Sequence, residues 1–260
     1  MSAAILELDC VCKNFGGLKV IDKLSFQVSV GERVALIGPN GAGKTTAFNL
    51  ITDFYHLDSG RILLEGRDIT DVPSRKRISY GIARTFQNIR LMPHLTVLEN
   101  VMIGQSAHNA SALAMLQPVN LFPGNRWRAQ ARKALEASGL GQYALETTGE
   151  LPYGIQKRIE LVRALLSDPK ILLLDEPAAG LNPSETEELR QQLIEISQRG
   201  VTLIVVEHDM HFIGAFCQRV VVLNFGCKIA ECSPHEAQAD PLVREAYLGT
   251  DEQLGQSHAA

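Results

Sequence analysis

Nine residues constrain this chain more than any other stretch: GPNGAGKTT, residues 38 to 46. An apolar run, RVALI (33–37), leads in, and KTTAFNLI (44–51) leads out with helical spacing. Gly38, Gly43, Lys44 and Thr45 occupy the four fixed positions of G-x-x-x-x-G-K-[ST]. At ordinary residue frequencies such a match arises by chance on the order of one time in a hundred. The flanking strand and helix make coincidence rarer still. The arrangement has a physical reason. Glycines let successive backbone N–H groups curl around phosphate oxygens, and the N-terminus of the following helix adds positive potential. Pro39, Asn40, Gly41 and Ala42 complete the loop, and Thr46 lies in the first helical turn. Lys44 suits the terminal phosphates, and the Thr45 hydroxyl suits a divalent cation.

The rest of the pattern places this loop in a larger fold. KILLLD (170–175), TLIVVE (202–207) and RVVVLNF (219–225) are short apolar runs, as expected for strands covered on both faces. Helical spacing lies between them at 156–167, 184–199 and 209–217. The alternation predicts an α/β fold with a parallel sheet. LSFQVSV puts Leu24, Phe26, Val28 and Val30 on one face of a half-buried strand that turns at Gly31-Glu32. This predicts an antiparallel β piece at the N-terminal end. Residues 88–164 lack strand patterns and read as an inserted helical subdomain. The core is then 1–87 plus 165–260, with TDEQLGQSHAA as a frayed end.

Composition removes several classes. The net charge of −4 leaves no basic footprint for nucleic acid. The opening MSAAILELDCVCKNF lacks the basic and long apolar regions of a signal peptide, and no apolar run is long enough to span a bilayer. The expectation is a soluble intracellular protein whose membrane role passes through a partner. Five cysteines fit a reducing compartment. Cys10 and Cys12 share a face of a β-like stretch, but no second pair has ligand spacing, so small structural residues are the simpler reading.

Two further strand ends carry chemistry. ILLLDEP (171–177) ends in Asp175 and Glu176, at the position where ligands bind in open α/β sheets. Asp175 suits Mg²⁺, and Glu176 suits polarising an attacking water. IVVEHD (204–209) places His208 after another strand, where it could contact a terminal phosphate. In RTFQN (84–88), Gln87 ends a third strand pattern and could touch Mg²⁺ or water while tying the insertion to the core.

Taken in order, these segments resemble the nucleotide-binding subunit of ATP-binding cassette (ABC) transporters, from about residue 5 to residue 248. GPNGAGKTT resembles the Walker A loop, TFQN the Q-loop, LPYGIQKR the signature, ILLLDE Walker B, AGLN the D-loop and EHD the H-loop. The resemblance implies a P-loop NTPase (RecA-like) core binding ATP and Mg²⁺. Lys44, Glu176 and His208 become the expected catalytic residues, with Thr45, Gln87 and Asp175 at the metal and Phe15 stacked on adenine. It also implies a second ABC ATPase subunit, identical or different, packed head to tail. Pro152, Tyr153, Gly154, Ile155 and Gln156 would face the ATP held by that subunit.

Departures from the family pattern stand out. The usual signature is Leu-Ser-Gly-Gly-Gln; here Pro152 replaces the Ser, Tyr153 a Gly and Ile155 the Gln, and Asn182 occupies a D-loop slot that usually holds Asp. Pro152 suits a first helical turn, and Gly154 permits close backbone approach. Ile155, Ile159, Val162 and Leu166 form an inward stripe that leaves Lys157, Arg158 and Arg163 outward.

Finer features, RTFQNIRLMPHLTVLENVMIG, DEPAAGLNPSETEEL, EHDMHFI and REAYLG, resemble the Liv-type branch, which imports branched-chain or other hydrophobic amino acids. That resemblance implies integral membrane permease subunits, a periplasmic solute-binding protein and a place on the cytoplasmic face of the inner membrane. Cassettes for urea and for lipopolysaccharide export share much of this text. A P-loop nucleotide kinase and a soluble nucleic-acid-linked cassette are the other readings. Glu176, His208 and the signature-like helix argue against the first. The lack of paired cassettes, long coiled coils and a basic patch argues against the second. Val101–Asn125 contains no Asp, Glu, Lys or Arg, and with Leu116 at its centre it reads either as buried loops or as a docking surface for a membrane subunit.

Overall fold

A computed structural model describes residues 4–105 and 126–247. Its larger sheet has six strands. β3 (Arg33–Ile37), β6 (Ile82–Arg84), β7 (Ile171–Asp175), β8 (Thr202–Val206) and β9 (Arg219–Asn224) run parallel, and β10 (Cys227–Cys232) pairs antiparallel with β9. The order β10-β9-β3-β8-β7-β6 puts β3 and β7 on either side of β8. Alternate residues of each central strand enter different cores, which is why these strands read as unbroken apolar runs. Val34 and Leu36 join one cluster and Ala35 and Ile37 the other; Leu173 and Leu172 divide in the same way.

On one face the cluster continues into α1 (Lys44–Ile51) and a four-stranded antiparallel sheet. That sheet is ordered β2-β1-β4-β5, from β1 (Ala4–Phe15), β2 (Leu18–Ser29), β4 (Ser59–Leu64) and β5 (Arg67–Asp68). The short α2 (Ser74–Arg77) seals its edge through Arg77, which is 2% exposed and donates to the carbonyl oxygens of Leu50, Ile51, Ile69, Thr70 and Val72. A third cluster lies within 88–164. There α3 (Val97–Ile103), α4 (Arg126–Ala137) and α5 (Tyr153–Leu165) bring together Val97, Val101, Leu135, Ile159 and Val162. α6 (Pro183–Gln198), α7 (Met210–Phe216) and α8 (Pro234–Ala239) cover the second face of the large sheet.

Local chemistry explains the boundaries. Thr96, Asn182 and Ser233 each cap a helix in a reciprocal capping box with the Glu three residues on. Asn182, in the slot where the family pattern holds Asp, therefore starts α6.

Several expectations need correction. β2 stops at Ser29, so Val30 leaves the buried face and is 53% exposed in the turn. The edge strand β6 stops at Arg84, and Gln87 lies in the exposed loop beyond it. α5 begins at Tyr153, three residues before the expected start at residue 156, and Pro152 is its N-cap in extended geometry, not a first-turn residue. β1 bulges between Leu8 and Val11 and again before Lys13, which breaks the simple alternation of Cys10 and Cys12. Lys157 points inward: it is 6% exposed. Leu116 and most of Val101–Asn125 lie outside the described residues. Among the described residues no helix is long and apolar enough to cross a membrane.

Candidate active site

The loop after β3 wraps the start of α1. Gly43 is the N-cap in left-handed geometry (φ 101°), and no side chain caps the helix, so the first-turn N–H groups face the loop. Gly38 (φ 147°) passes so close to β9 that a Cβ would lie 2.1 Å from the Leu223 carbonyl oxygen. Lys44 Nζ donates to the carbonyl oxygens of Gly38 at 2.6 Å and Pro39 at 3.0 Å. Burial lowers its pKa, while Glu176 and Asp175 act in the opposite direction. Thr45 is exposed at the helix start, Ala42 and Pro39 are buried, and Asn40 and Gly41 are open to solvent.

Two carboxylates stand at the end of β7 for different reasons. Asp175 is 5% exposed and pairs with Arg84 Nη2 through Oδ2 at 2.6 Å. Arg84 also donates to Asn49 Oδ1 at 2.6 Å and packs against the rings of Phe48 and Phe86. Glu176 adopts φ 47°, a left-handed conformation rare for a residue with a side chain. Its N–H donates to the Val206 carbonyl at 2.9 Å, and its own carbonyl accepts from Lys157 Nζ at 3.0 Å. Gln87 Nε2 donates to Glu176 Oε2 at 2.7 Å. Lys44, Asp175, Glu176 and Gln87 thus converge where β3 and β7 end.

β8 lies directly beside β7, with Val206 opposite Asp175. His208 follows it with an exposed side chain, its Nδ1 3.9 Å from Glu207 Oε2. Glu207 is 2% exposed and accepts from the N–H groups of Ala178 and His208. Burial pushes its carboxyl above the ordinary value. Phe15 is 40% exposed and meets Tyr55 edge to face at 4.9 Å. At the start of α5, Pro152 and Tyr153 are exposed, Gly154 is buried, Ile155 is half-buried, and Gln156 Nε2 donates to the Leu151 carbonyl at 2.8 Å.

Arg84, Lys157 and Glu207 were not legible as site residues. The signal for Arg84 was a cation ending an apolar strand, IAR. For Lys157 and Glu207 the pattern carried none, because a charge beside an apolar stripe normally faces water.

Thr45, Gln87 and Asp175 offer oxygen donors suited to Mg²⁺, and Arg84 engages only one Asp175 oxygen. Among the described residues no group of three His, Cys, Asp or Glu could hold a metal by itself.

The chain is similar to known proteins. The family model described as ABC transporter matches residues 21–179, and one described as branched-chain amino acid ATP-binding cassette transporter matches 227–253. The chain is 40% identical over 253 residues to the high-affinity branched-chain amino acid transport ATP-binding protein BraF of Pseudomonas aeruginosa, covering 96% of this chain and 99% of that one. It is 37% identical over 256 residues to the corresponding LivG protein of Escherichia coli, with the same coverage. The crystal structure of the ADP conformation of an ATP-binding cassette of an ABC transporter superposes with a TM-score of 0.84 at 34% identity, covering 95% of this chain and 99% of that one. A dimeric post-hydrolysis cassette bound to ADP and Pi gives a TM-score of 0.75 at 26% identity, covering 88% and 98%.

Proposed function

The chain belongs to the ATP-binding cassette family of ABC transporters, and from that premise we propose that it powers import of branched-chain or other hydrophobic amino acids. Family membership makes it an ATPase that drives transport. The solute assignment rests on the likeness to BraF and LivG across nearly the whole chain and on the match at its C-terminal end.

The observation that carries the mechanism is the convergence of Lys44, Gln87, Asp175 and Glu176 beyond the ends of parallel strands β3, β6 and β7. The loop 38–46 cradles the phosphates through backbone N–H groups and the N-terminus of α1. Lys44 exchanges its two loop carbonyls for phosphate oxygens. Thr45, Gln87 and Asp175 would hold Mg²⁺, which when bound neutralises charge developing on the phosphates. Glu176 takes a proton from the attacking water, and Gln87 orients its carboxylate through the 2.7 Å bond. Phe15 offers an exposed ring to the adenine, and His208 a ring for the terminal phosphate.

A cassette dimer supports a second role for the start of α5. Pro152, Tyr153, Gly154, Ile155 and Gln156 would meet the ATP of the partner cassette. Pro152 brings no hydroxyl, so this contact would use backbone N–H groups and the helix dipole. The partners that complete the assembly are integral membrane permease subunits, which would hold this chain at the cytoplasmic face of the inner membrane, and a periplasmic binding protein. The test is uptake. Proteoliposomes containing the cognate permeases and cassette pair, supplied with the binding protein, should accumulate labelled leucine or valine only with ATP, and Lys44→Ala should abolish accumulation. ATP-dependent movement of urea or lipopolysaccharide instead would overturn the solute assignment.

A further inference from the structure

The signature-like segment departs from its family pattern at Tyr153, and the lysine four residues later is buried against the chain's own catalytic strand. Lys157 Nζ donates to the Glu176 carbonyl oxygen at 3.0 Å and lies 5.7 Å from the Tyr153 ring centroid. The Tyr153 ring in turn rests on Gly180, so closely that a Cβ there would lie 2.9 Å from Cε1. One turn of α5 thus grips both ends of the segment 176–180, by a cation at its start and an aromatic ring at its end.

That segment needs holding. Glu176 adopts a left-handed conformation, which persists only where the surroundings over-determine it. The Glu176 carbonyl accepts from the Ala179 N–H at 3.2 Å as well as from Lys157, so the lysine closes the same turn that sets the direction of the glutamate. Glu207 fixes the middle of the turn through the Ala178 N–H. Burial lowers the Lys157 pKa, and acids on several elements oppose this: Glu160 on its own helix, Glu207 after β8, Glu176 after β7 and Asp175 at the end of β7. Removing the lysine would leave the buried Glu160, Glu207 and Asp175 with less positive charge nearby and the Glu176 carbonyl with one donor fewer.

We propose that Lys157, with Tyr153 stacked beside it, is a positioning residue that links the signature helix to Glu176 within one chain, so that a nucleotide contacted by the outer end of that helix adjusts the glutamate serving the chain's own site. This rests on the reading of Glu176 as the base and of the 152–156 segment as the partner-facing surface. Two cassettes packed head to tail then communicate through the 153–157 turn of each chain. Tyr153, in a slot that the family pattern gives to Gly, supplies a ring that a Gly-Gly signature could not.

The test uses the full chain. Lys157→Met removes the donor but keeps an unbranched apolar stem, and Lys157→Arg keeps a cation. ATP turnover by Lys157→Met should fall about tenfold in kcat, the loss expected for one charge-assisted hydrogen bond, with KM little changed. Lys157→Arg should recover most of it. Because Lys157 acts through Glu176, adding Lys157→Met to Glu176→Gln should cost little more. Hydrogen exchange gives a readout that does not depend on Glu176 being the base. The amides of 176–181 should lose protection in Lys157→Met and regain it in Lys157→Arg, with 44–51 unchanged. Tyr153→Ala should loosen 178–181 and Tyr153→Phe should not. Unchanged exchange at 176–181, or a loss of protection spread evenly over the chain, would overturn the proposal. Near-normal turnover by Glu176→Gln alone would overturn the assignment of the base and leave the exchange result to judge the link.

Discussion

Arg84→Met should destabilise the chain strongly in the absence of nucleotide, and the structure sets the size of the effect. Arg84 and Asp175 are each 7% exposed at the side chain and meet at 2.6 Å. Removing one partner of such a buried pair typically costs about 3–5 kcal/mol, because the other charge is left without compensation. Two details move the expectation within that range. The bond from Arg84 Nη1 to Asn49 Oδ1 is lost as well, which raises the cost. Against this, Arg84 Nε is buried without a hydrogen-bond partner, a penalty that methionine removes while still packing against Phe48 and Phe86. The two adjustments oppose each other, so about 3–4 kcal/mol is the expected loss. Urea unfolding followed by circular dichroism, without Mg²⁺ or nucleotide, measures it. Asp175→Asn in the Arg84→Met background removes the stranded charge, so the double variant should be less destabilised than the sum of the singles by at least about 1 kcal/mol. A loss below about 1 kcal/mol for Arg84→Met, or strict additivity of the two changes, would refute the argument that these groups compensate each other.

Three other outcomes follow from single contacts. Gly38→Ala should lose nucleotide binding and about 1–3 kcal/mol of stability in titration and urea experiments, since its Cβ would meet the Leu223 carbonyl oxygen at 2.1 Å; normal binding would mean that the loop is free to move away from β9. Lys44→Ala should weaken ATP binding by about tenfold or more in calorimetry, with unfolding midpoints nearly unchanged, and equal affinity would remove Lys44 from the phosphate site. Burial holds the Glu160 carboxyl above its ordinary value of 4.5, against the Arg90 N–H, Arg163 and Lys157, so the folded chain keeps a proton that the unfolded chain has already released. Its contribution to stability is therefore fully present at low pH and declines as pH rises from the unfolded value through the folded one, so Glu160→Gln should gain on the native chain across that window in urea midpoints measured from about pH 4 to pH 8, and parallel curves would contradict the burial argument.

The fold was readable wherever one strand fed two cores. VALI and ILLL carry apolar residues at every position because each neighbour enters a different cluster, and RVALI and ILLLD appear as β3 and β7 almost to the residue. The loop 38–46 and the pair Asp175-Glu176 were readable because their chemistry needs fixed residue types beside a strand end. What was missed depends on tertiary partners. Val30 continues the apolar alternation of β2, yet a turn ends the strand before it. Lys157 follows the polar face of α5 by spacing, yet the Glu176 carbonyl lies across from it and accepts its bond; burial lowers its pKa, and four acids oppose that. Arg77 sits in a run of three basic residues and gives no sign of burial, but five backbone carbonyls converge on it. A pattern reports which residues prefer water; it does not report where the chain has left unpaired acceptors.

Phosphate release by the Glu176→Gln variant tests the central claim most directly. Glutamine keeps the shape of the side chain and can still accept from Gln87 Nε2, but it cannot take a proton from water. With saturating ATP and Mg²⁺, turnover should fall by about two decades or more, while nucleotide affinity stays close to that of the native chain. Phosphate release near the native rate, with affinity preserved, would contradict the assignment of Glu176 as the base and, with it, the account of how this site hydrolyses ATP.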